Sequence, residues 1–194
     1  MPRKNVRNTK GKIVSAAWKL FYEQGYEETT VEDIIFESGT SRGSFYHYFG
    51  GKDALLSSLS YLFDEKYEEL EPTLDASMTA LDKLAFLNRE LFSMIDSTVS
   101  VELMAGLLSS QLVTKGERHL MDRNRLYFKL LHRIIREGQE KGEITTELSV
   151  SEIVKAYAMY ERALMYDWCL YGGEYPLARY ASDMMQRFLL GFKK

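Results

Sequence analysis

A chain of 194 residues, 45% hydrophobic and 27% charged, is long enough for one large or two small domains with a sizeable core. Its single cysteine, Cys169, excludes an internal disulfide framework and a cysteine-based zinc site. No apolar run approaches the roughly 18 residues of a membrane span, and no apolar segment follows the basic N-terminus, so a cytoplasmic location is expected. The net charge of −3 does not suggest nucleic acid, but its distribution does: residues 1–52 carry eight basic and six acidic side chains, the rest 17 and 22. A phosphate-facing end is thereby separated from a body that phosphates would repel.

The first twelve residues hold Arg3, Lys4, Arg7, Lys10 and Lys12 and no acid. On its own such an arm reads equally as a solvated tail. Asn8 or Thr9 can cap a first helix whose one-face pattern is Ile13, Ala16, Ala17, Leu20 and Phe21, ending at Gly25. Trp18 and Tyr22 lie off that stripe, where they can cover the edge of a small core or approach a DNA backbone; core packing is the expected role.

The segment from Thr30 to Leu56 is the most informative. Thr30 with Asp33 is a capping-box pattern that starts a helix at Val31, and its inward residues are Val31, Ile34 and Ile35. Gly39 supplies the left-handed conformation that stops it. Ser41 can cap the next helix, with Phe45 and Tyr48 or Phe49 facing inward, which leaves Arg42, Gly43, Ser44, Tyr46 and His47 largely outside. Two short helices joined by a glycine-containing turn form the helix-turn-helix pattern, whose second helix enters the major groove by its N-terminal end. After Lys52 one helical pattern runs through Leu55, Leu56, Leu59, Leu62, Phe63, Tyr67 and Leu70 and stops near Pro72. The expected organisation is a DNA-binding domain over 1–52, a connecting helix over 53–72 and a larger domain over 73–194.

From Thr73 onward the pattern predicts helices only, over 75–96, 101–113, 117–141, 149–171 and 176–192, punctuated by Gly116, Gly142, Gly172, Gly173 and Pro176. The fold class is therefore all-α. Ile153, Tyr157, Tyr160, Leu164, Trp168 and Tyr171 recur at spacings of three and four, and Leu177, Tyr180, Ala181, Met184, Met185, Phe188 and Leu189 make a wide stripe. Two antiparallel helices this apolar need cover on more than one side, which suits a helix-pair dimer as well as an intramolecular core. The expected dimer residues are Tyr157, Leu164, Trp168, Tyr171, Tyr180, Met184 and Phe188. Phe86, Phe92, Met94, Met104, Tyr127, Phe128, Tyr157, Tyr160 and Met165 are candidates for lining an effector pocket, although such residues more often form core. Glu161, Arg162 and Asp167 are ionisable groups inside the most apolar helix; they can line that pocket, as is proposed for Glu161, make polar dimer contacts or face water.

The residues from Thr30 to Leu55 resemble the DNA-binding domain of the TetR family of transcriptional regulators. Thr30, Ile34, Gly39, Ser41, Gly43, Tyr46, Phe49, Lys52, Asp53 and Leu55 stand at matching places, over about a quarter of the chain. Ile35 and Ser38 stand where alanine is usual, and Gly50-Gly51 where a polar cap is usual, so the helix pair must repack around Ile35. The resemblance implies a homodimeric, ligand-responsive regulator, most simply a repressor, on a palindromic operator in double-stranded DNA. It also implies a four-helix dimer interface from the last two helices and a small-molecule effector, apolar or aromatic, in the larger domain. Arg42 is the expected base reader, since its fork can donate twice to guanine, and Ser44 can bond a base edge or a phosphate. Gly43 lets the helix sit close to the groove floor. Tyr46, His47 and Lys52 match phosphate-contacting positions, and Thr30 and Ser41 add hydroxyls at helix N-termini. For His47 a plain surface histidine is the competing assignment.

Enzymatic signatures are missing from the pattern: no Glu-x-x-His pair precedes any of the three histidines, and there is no phosphate-binding glycine loop or nucleophile elbow. No catalytic residue, cofactor or metal is expected. The alternative class is an all-helical protein-interaction module that uses the helix-turn-helix as scaffold and has no salt-dependent DNA affinity.

Overall fold

The computed structural model describes residues 3–56, 58–113 and 118–194; the side chains of residues 3–8, 53, 59 and 113 are not described. The break expected at Gly116 and the side chains of Arg3, Lys4 and Arg7 in the basic arm fall outside the described residues. Among the described residues the fold is all-α, with no strand: α1 (Arg3–Gln24), α2 (Val31–Ser38), α3 (Arg42–Tyr48), α4 (Lys52–Leu56), α5 (Leu59–Leu70), α6 (Ala80–Thr98), α7 (Val101–Val113), α8 (Leu126–Glu140), α9 (Val150–Leu170) and α10 (Leu177–Leu190). No single helix among them is long and apolar enough to cross a membrane.

Four boundaries differ from the periodicity, each for a local reason. Helix α1 runs back through Asn8 and Thr9 to Arg3, because good helix formers surround these residues and a polar cap residue inside a helix costs only tenths of a kcal/mol, about 0.5 each. The expected connecting helix is two helices, α4 and α5. At the break, the Ser58 hydroxyl and N–H both bond the Leu55 carbonyl, and the Trp18 indole N–H donates to Ser58 Oγ at 3.0 Å. A serine bonded to its own backbone competes with the helical ladder. Helix α6 starts at Ala80 because Ser77 N–H bonds the Asp75 carboxylate (2.7 Å) in a turn before it, and Thr79 caps Asp82 N–H (3.2 Å). Helix α8 starts at Leu126 because Asn124 N–H bonds Asp122 Oδ1 at 2.9 Å in another such turn.

Helix α6 is central. It packs along α10 and against α8 and α5, and α9 crosses α7, α8 and α10. Its buried stripe is Leu84, Leu87, Asn88, Leu91, Phe92 and Ile95, of which only Asn88 is polar. The head formed by α1–α3 contributes Ile13, Ala17, Phe21, Ile34 and Phe45 to one hydrophobic cluster that continues into the body. It meets the body where α4 lies on α7: a Cβ at Gly106 would stand 3.2 Å from Leu56 Cδ1, so the glycine permits that approach.

Candidate DNA-reading head and ligand cavity

The head is locally specified. Thr30 closes a full capping box: its hydroxyl accepts from Asp33 N–H (3.1 Å), and its own N–H and hydroxyl donate to Asp33 Oδ2 (2.9 and 2.6 Å). Those bonds to Thr30 hold the Asp33 carboxyl below its ordinary range. Gly39 at φ 62° ends α2 by turning the chain left-handed, at no Cβ cost. Ile34 is fully buried, with Val31 and Ile35 half-buried beside it, which is how the larger residue at 35 is accommodated. Ser41 accepts from Ser44 N–H at 3.1 Å, and the two hydroxyls lie 2.9 Å apart.

With Phe45 and Phe49 turned inward, α3 presents Arg42, Gly43, Tyr46 and His47 to solvent, with Ser44 half-buried. The Arg42 guanidinium lies 5.7 Å from the Tyr46 ring centroid and 3.4 Å from Glu32 on α2. Both members of that pair are exposed, so it is worth about 0–1 kcal/mol and is readily given up. A Cβ at Gly43 would touch only Ser41 Oγ, at 3.9 Å, so nothing within the protein requires a glycine there. Lys52 is engaged internally: its ammonium donates to the Tyr26 and Glu27 carbonyls (2.6 and 3.2 Å) and sits 4.3 Å from the Tyr26 ring centroid. It thereby braces the loop between α1 and α2. Trp18 packs half-buried against the core, edge-on to Phe21 at 5.5 Å, whereas Tyr22 is exposed.

In the body, three of the expected dimer residues are unavailable to a partner. Tyr157, Leu164 and Trp168 lie in the core of the protomer, because α7, α8 and α10 already cover that face of α9. Tyr157 donates to the Leu84 carbonyl (2.9 Å) and Trp168 to the Tyr175 carbonyl (3.1 Å). Tyr171 and Tyr180 are exposed, and Met184 and Phe188 half-buried. The face of α9 that remains open carries Met159, Ala163, Tyr166 and Leu170, with Tyr166 at 53% and Leu170 at 67% exposure.

Tyr127, Glu161 and Met165 line one cavity, together with Phe63 and Tyr67 of α5, Leu91 of α6, and Leu120, Arg125, Ala158 and Arg162. The other seven pocket candidates do not line it, Met94 among them being half-buried against the core. Phe92, Met104, Phe128 and Tyr157 are core; Phe86 lies under the Arg89 guanidinium, and Tyr160 stacks on Phe188 at 4.2 Å. The cavity volume is about 30 Å³, room for roughly one water. In this conformation it is too small for an organic molecule.

Glu161 is not solvated: at 2% exposure it accepts from Asn88 Nδ2 (3.0 Å) and from the Tyr127 hydroxyl (2.7 Å). Burial pushes its carboxyl above the ordinary range against those two bonds, and burial likewise pushes the Tyr67, Tyr127 and Tyr157 phenols up. Arg125 closes one side with a bidentate pair to Asp64 of α5 (2.9 and 3.0 Å) and a third bond to the Ser60 carbonyl (3.1 Å). Asp64, Asn88 and Arg125 were not singled out by sequence. Asn88 could have been, since it shares the helical register of Leu84, Leu91 and Ile95; the pairing of Asp64 with Arg125 spans 61 residues and left no local signal.

The family model of bacterial regulatory proteins of the tetR family matches residues 13–59, and that of the YsiA-like C-terminal region matches residues 63–191. The chain belongs to the TetR family. It is a transcriptional regulator of that family, and its relatives are regulators, not enzymes. The fatty acid metabolism regulator protein of Bacillus subtilis is 29% identical over 142 residues, 71% of this chain and 72% of that one. Among solved structures, Bacillus subtilis FadR in complex with stearoyl-CoA aligns at TM-score 0.70 and 24% identity, covering 93% of this chain and 97% of that one. Thermus thermophilus FadR in complex with lauroyl-CoA aligns at TM-score 0.70 and 23% identity, covering 93% of both. At these identities the structural likeness bears on the fold alone.

Proposed function

We propose that this TetR-family regulator is a homodimeric repressor that releases a palindromic operator when a small molecule opens the cavity between α5, α6, α8 and α9. The observation that carries DNA reading is the exposed first turn of α3, where Arg42 is held only by a weak surface pair and Gly43 leaves the approach unobstructed. Arg42 reads a base pair. Ser44 supplements it, and Thr30, Ser41, Tyr46 and His47 contact phosphates. Lys52 serves the backbone from its seat on the Tyr26 and Glu27 carbonyls. Two copies join through the open stripe of α9, Met159, Ala163, Tyr166 and Leu170, flanked by Tyr171 and by Tyr180, Met184 and Phe188 of α10.

Transmission runs through α5. Phe63 and Tyr67 line the cavity, Asp64 holds Arg125, and the N-terminal end of α5 abuts Ser58, which Trp18 of the head grips. A ligand that displaces Phe63 or Arg125 moves α5 and with it the spacing of the two heads. Ligand and DNA then prefer different spacings, and each weakens the other by the same factor.

Light scattering of the free protein and duplex titrations at two salt concentrations test this. A dimer mass and an affinity that falls steeply with salt are expected. A monomer, or a salt-independent affinity, would favour the scaffold alternative.

A further inference from the structure

We propose that the ligand of this cavity is a protonated amine on an aromatic or apolar body, with Glu161 as its counter-ion. The assignment rests on the cavity being the effector site and adds the chemistry of the effector. Glu161 is a buried carboxyl group that accepts from Asn88 and Tyr127, with the Tyr157 hydroxyl also close enough to favour its charged form, and it makes no ion pair among the described residues. Buried charges are ordinarily paired or neutralised by a proton, so a cation reaching Glu161 would take the place of that proton. Arg125 does not meet it, because its guanidinium is neutralised by Asp64. Arg162, at the next position on α9, lines the cavity half-buried and favours the Glu161 charge through space without an ion pair to it.

The unused hydrogen-bonding capacity includes two oxygens that can accept from such a cation. Asn88 Oδ1, an acceptor, has no partner, and neither has the Tyr67 hydroxyl, although both atoms are fully buried. A carboxylate accepting two bonds has further lone pairs free. Asn88 Oδ1 and the Tyr67 oxygen can each accept, although the Tyr67 hydroxyl can also donate, and an alkylammonium supplies up to three donors with a positive charge. Tyr67 and Tyr127, ring centroids 5.2 Å apart, add aromatic surface that favours a cation. Phe63, Leu91 and Met165 supply the apolar wall for the rest of the ligand. A carboxylate ligand would face Glu161, and an acyl chain would leave all of these acceptors unmet.

The test is isothermal titration of the full-length protein at neutral pH with phenethylamine and naphthylethylamine, their neutral counterparts phenethyl alcohol and naphthylethanol, hydrocinnamate and lauroyl-CoA. At least one amine is expected to bind about tenfold or more tighter than its alcohol, the gain of a charge-assisted bond. Glu161→Gln should erase that difference by bringing the amine affinity down to that of its alcohol. The Gln side chain preserves the acceptor for Tyr127 and adds a donor for Asn88, so the variant retains the packing; the wild-type comparison of amine with alcohol decides even without it. Equal binding of amine and alcohol, binding of hydrocinnamate or lauroyl-CoA in preference to the amines, or no response to either amine overturns the assignment. Duplex DNA binding measured on the same preparation bears on the regulator function and leaves the ligand chemistry independently judged.

Discussion

The head and the cavity are built in opposite ways. In the head, residues within about ten positions of each other set the geometry: Thr30 with Asp33, Gly39, and Ser41 with Ser44, each a cap or a turn, leave Arg42 and its neighbours in solvent. In the body, the polar centre is assembled from α5, α6, α8 and α9, with Asn88 and Glu161 73 residues apart, and it is shut away from water. Surface chemistry there is held in place by local rules, interior chemistry by packing. Changes in the head should therefore alter DNA binding with little effect on folding, and changes around the cavity should alter stability first.

The largest effect is expected at the α5–α8 clamp. Arg125 and Asp64 have side-chain exposures of 9% and 18%, so Asp64→Ala strands a nearly buried guanidinium and should cost about 3–5 kcal/mol of unfolding free energy, measured by urea titration. A loss below about 1 kcal/mol would place the clamp among ordinary surface pairs. Next comes Arg42→Ala, expected to cost about 1–3 kcal/mol of operator affinity and to relax preference at one base pair, with the unfolding midpoint unchanged. If the midpoint falls as far as the affinity, the head is not separable from its own scaffold.

Glu161→Gln should stabilise the protein wherever Glu161 is charged in the folded state, since it removes a desolvated carboxylate. The sign follows from its raised carboxyl. A folded-state value above the unfolded one gives wild-type stability that is complete below about 4.5 and is lost as pH rises through the folded value. The gap between variant and wild type should thus open with rising pH in thermal melts. The titratable and charged groups lining the cavity with it are Tyr67 from α5, Arg125 and Tyr127 from the α8 side and Arg162 from α9; the Gln variant separates Glu161 from these. Lys52→Ala should lower the salt slope of DNA binding by about 0.9 per protomer for each lost phosphate contact, and it also loosens the Tyr26–Glu27 loop. An unchanged slope with lowered stability would make Lys52 a brace only. The smallest effect is expected of Gly106→Ala, where a Cβ 3.2 Å from a mobile Leu56 methyl costs less than about 1 kcal/mol yet alters how the head sits on the body, so ligand-dependent release should shift more than stability.

The same contrast explains what was legible in the sequence. Capping residues and periodicity placed α2, α3 and α7 to the residue or nearly so, because their determinants are local. The break between α4 and α5 was missed because it depends on Trp18 reaching Ser58 across 40 residues. Tyr157, Leu164 and Trp168 were assigned to a dimer face because periodicity shows that a face is apolar and not what covers it; their own α7, α8 and α10 do. Glu161 was readable as on-stripe, four residues after Tyr157 and three before Leu164, yet Asn88 and Tyr127, which donate to it, come from other helices. Arg42 needed no such partners to be found.

The central claim, that a symmetric pair of heads reads DNA through Arg42, is tested most directly by in vitro selection of bound duplexes with the wild type and with Arg42→Ala. The account predicts an inverted repeat whose half-sites are separated by about one helical turn or a multiple of it, with one symmetric pair of positions losing its preference in the variant. Enrichment of no sequence, of a single unsymmetric site, or of the same motif at undiminished preference with Arg42→Ala would contradict it.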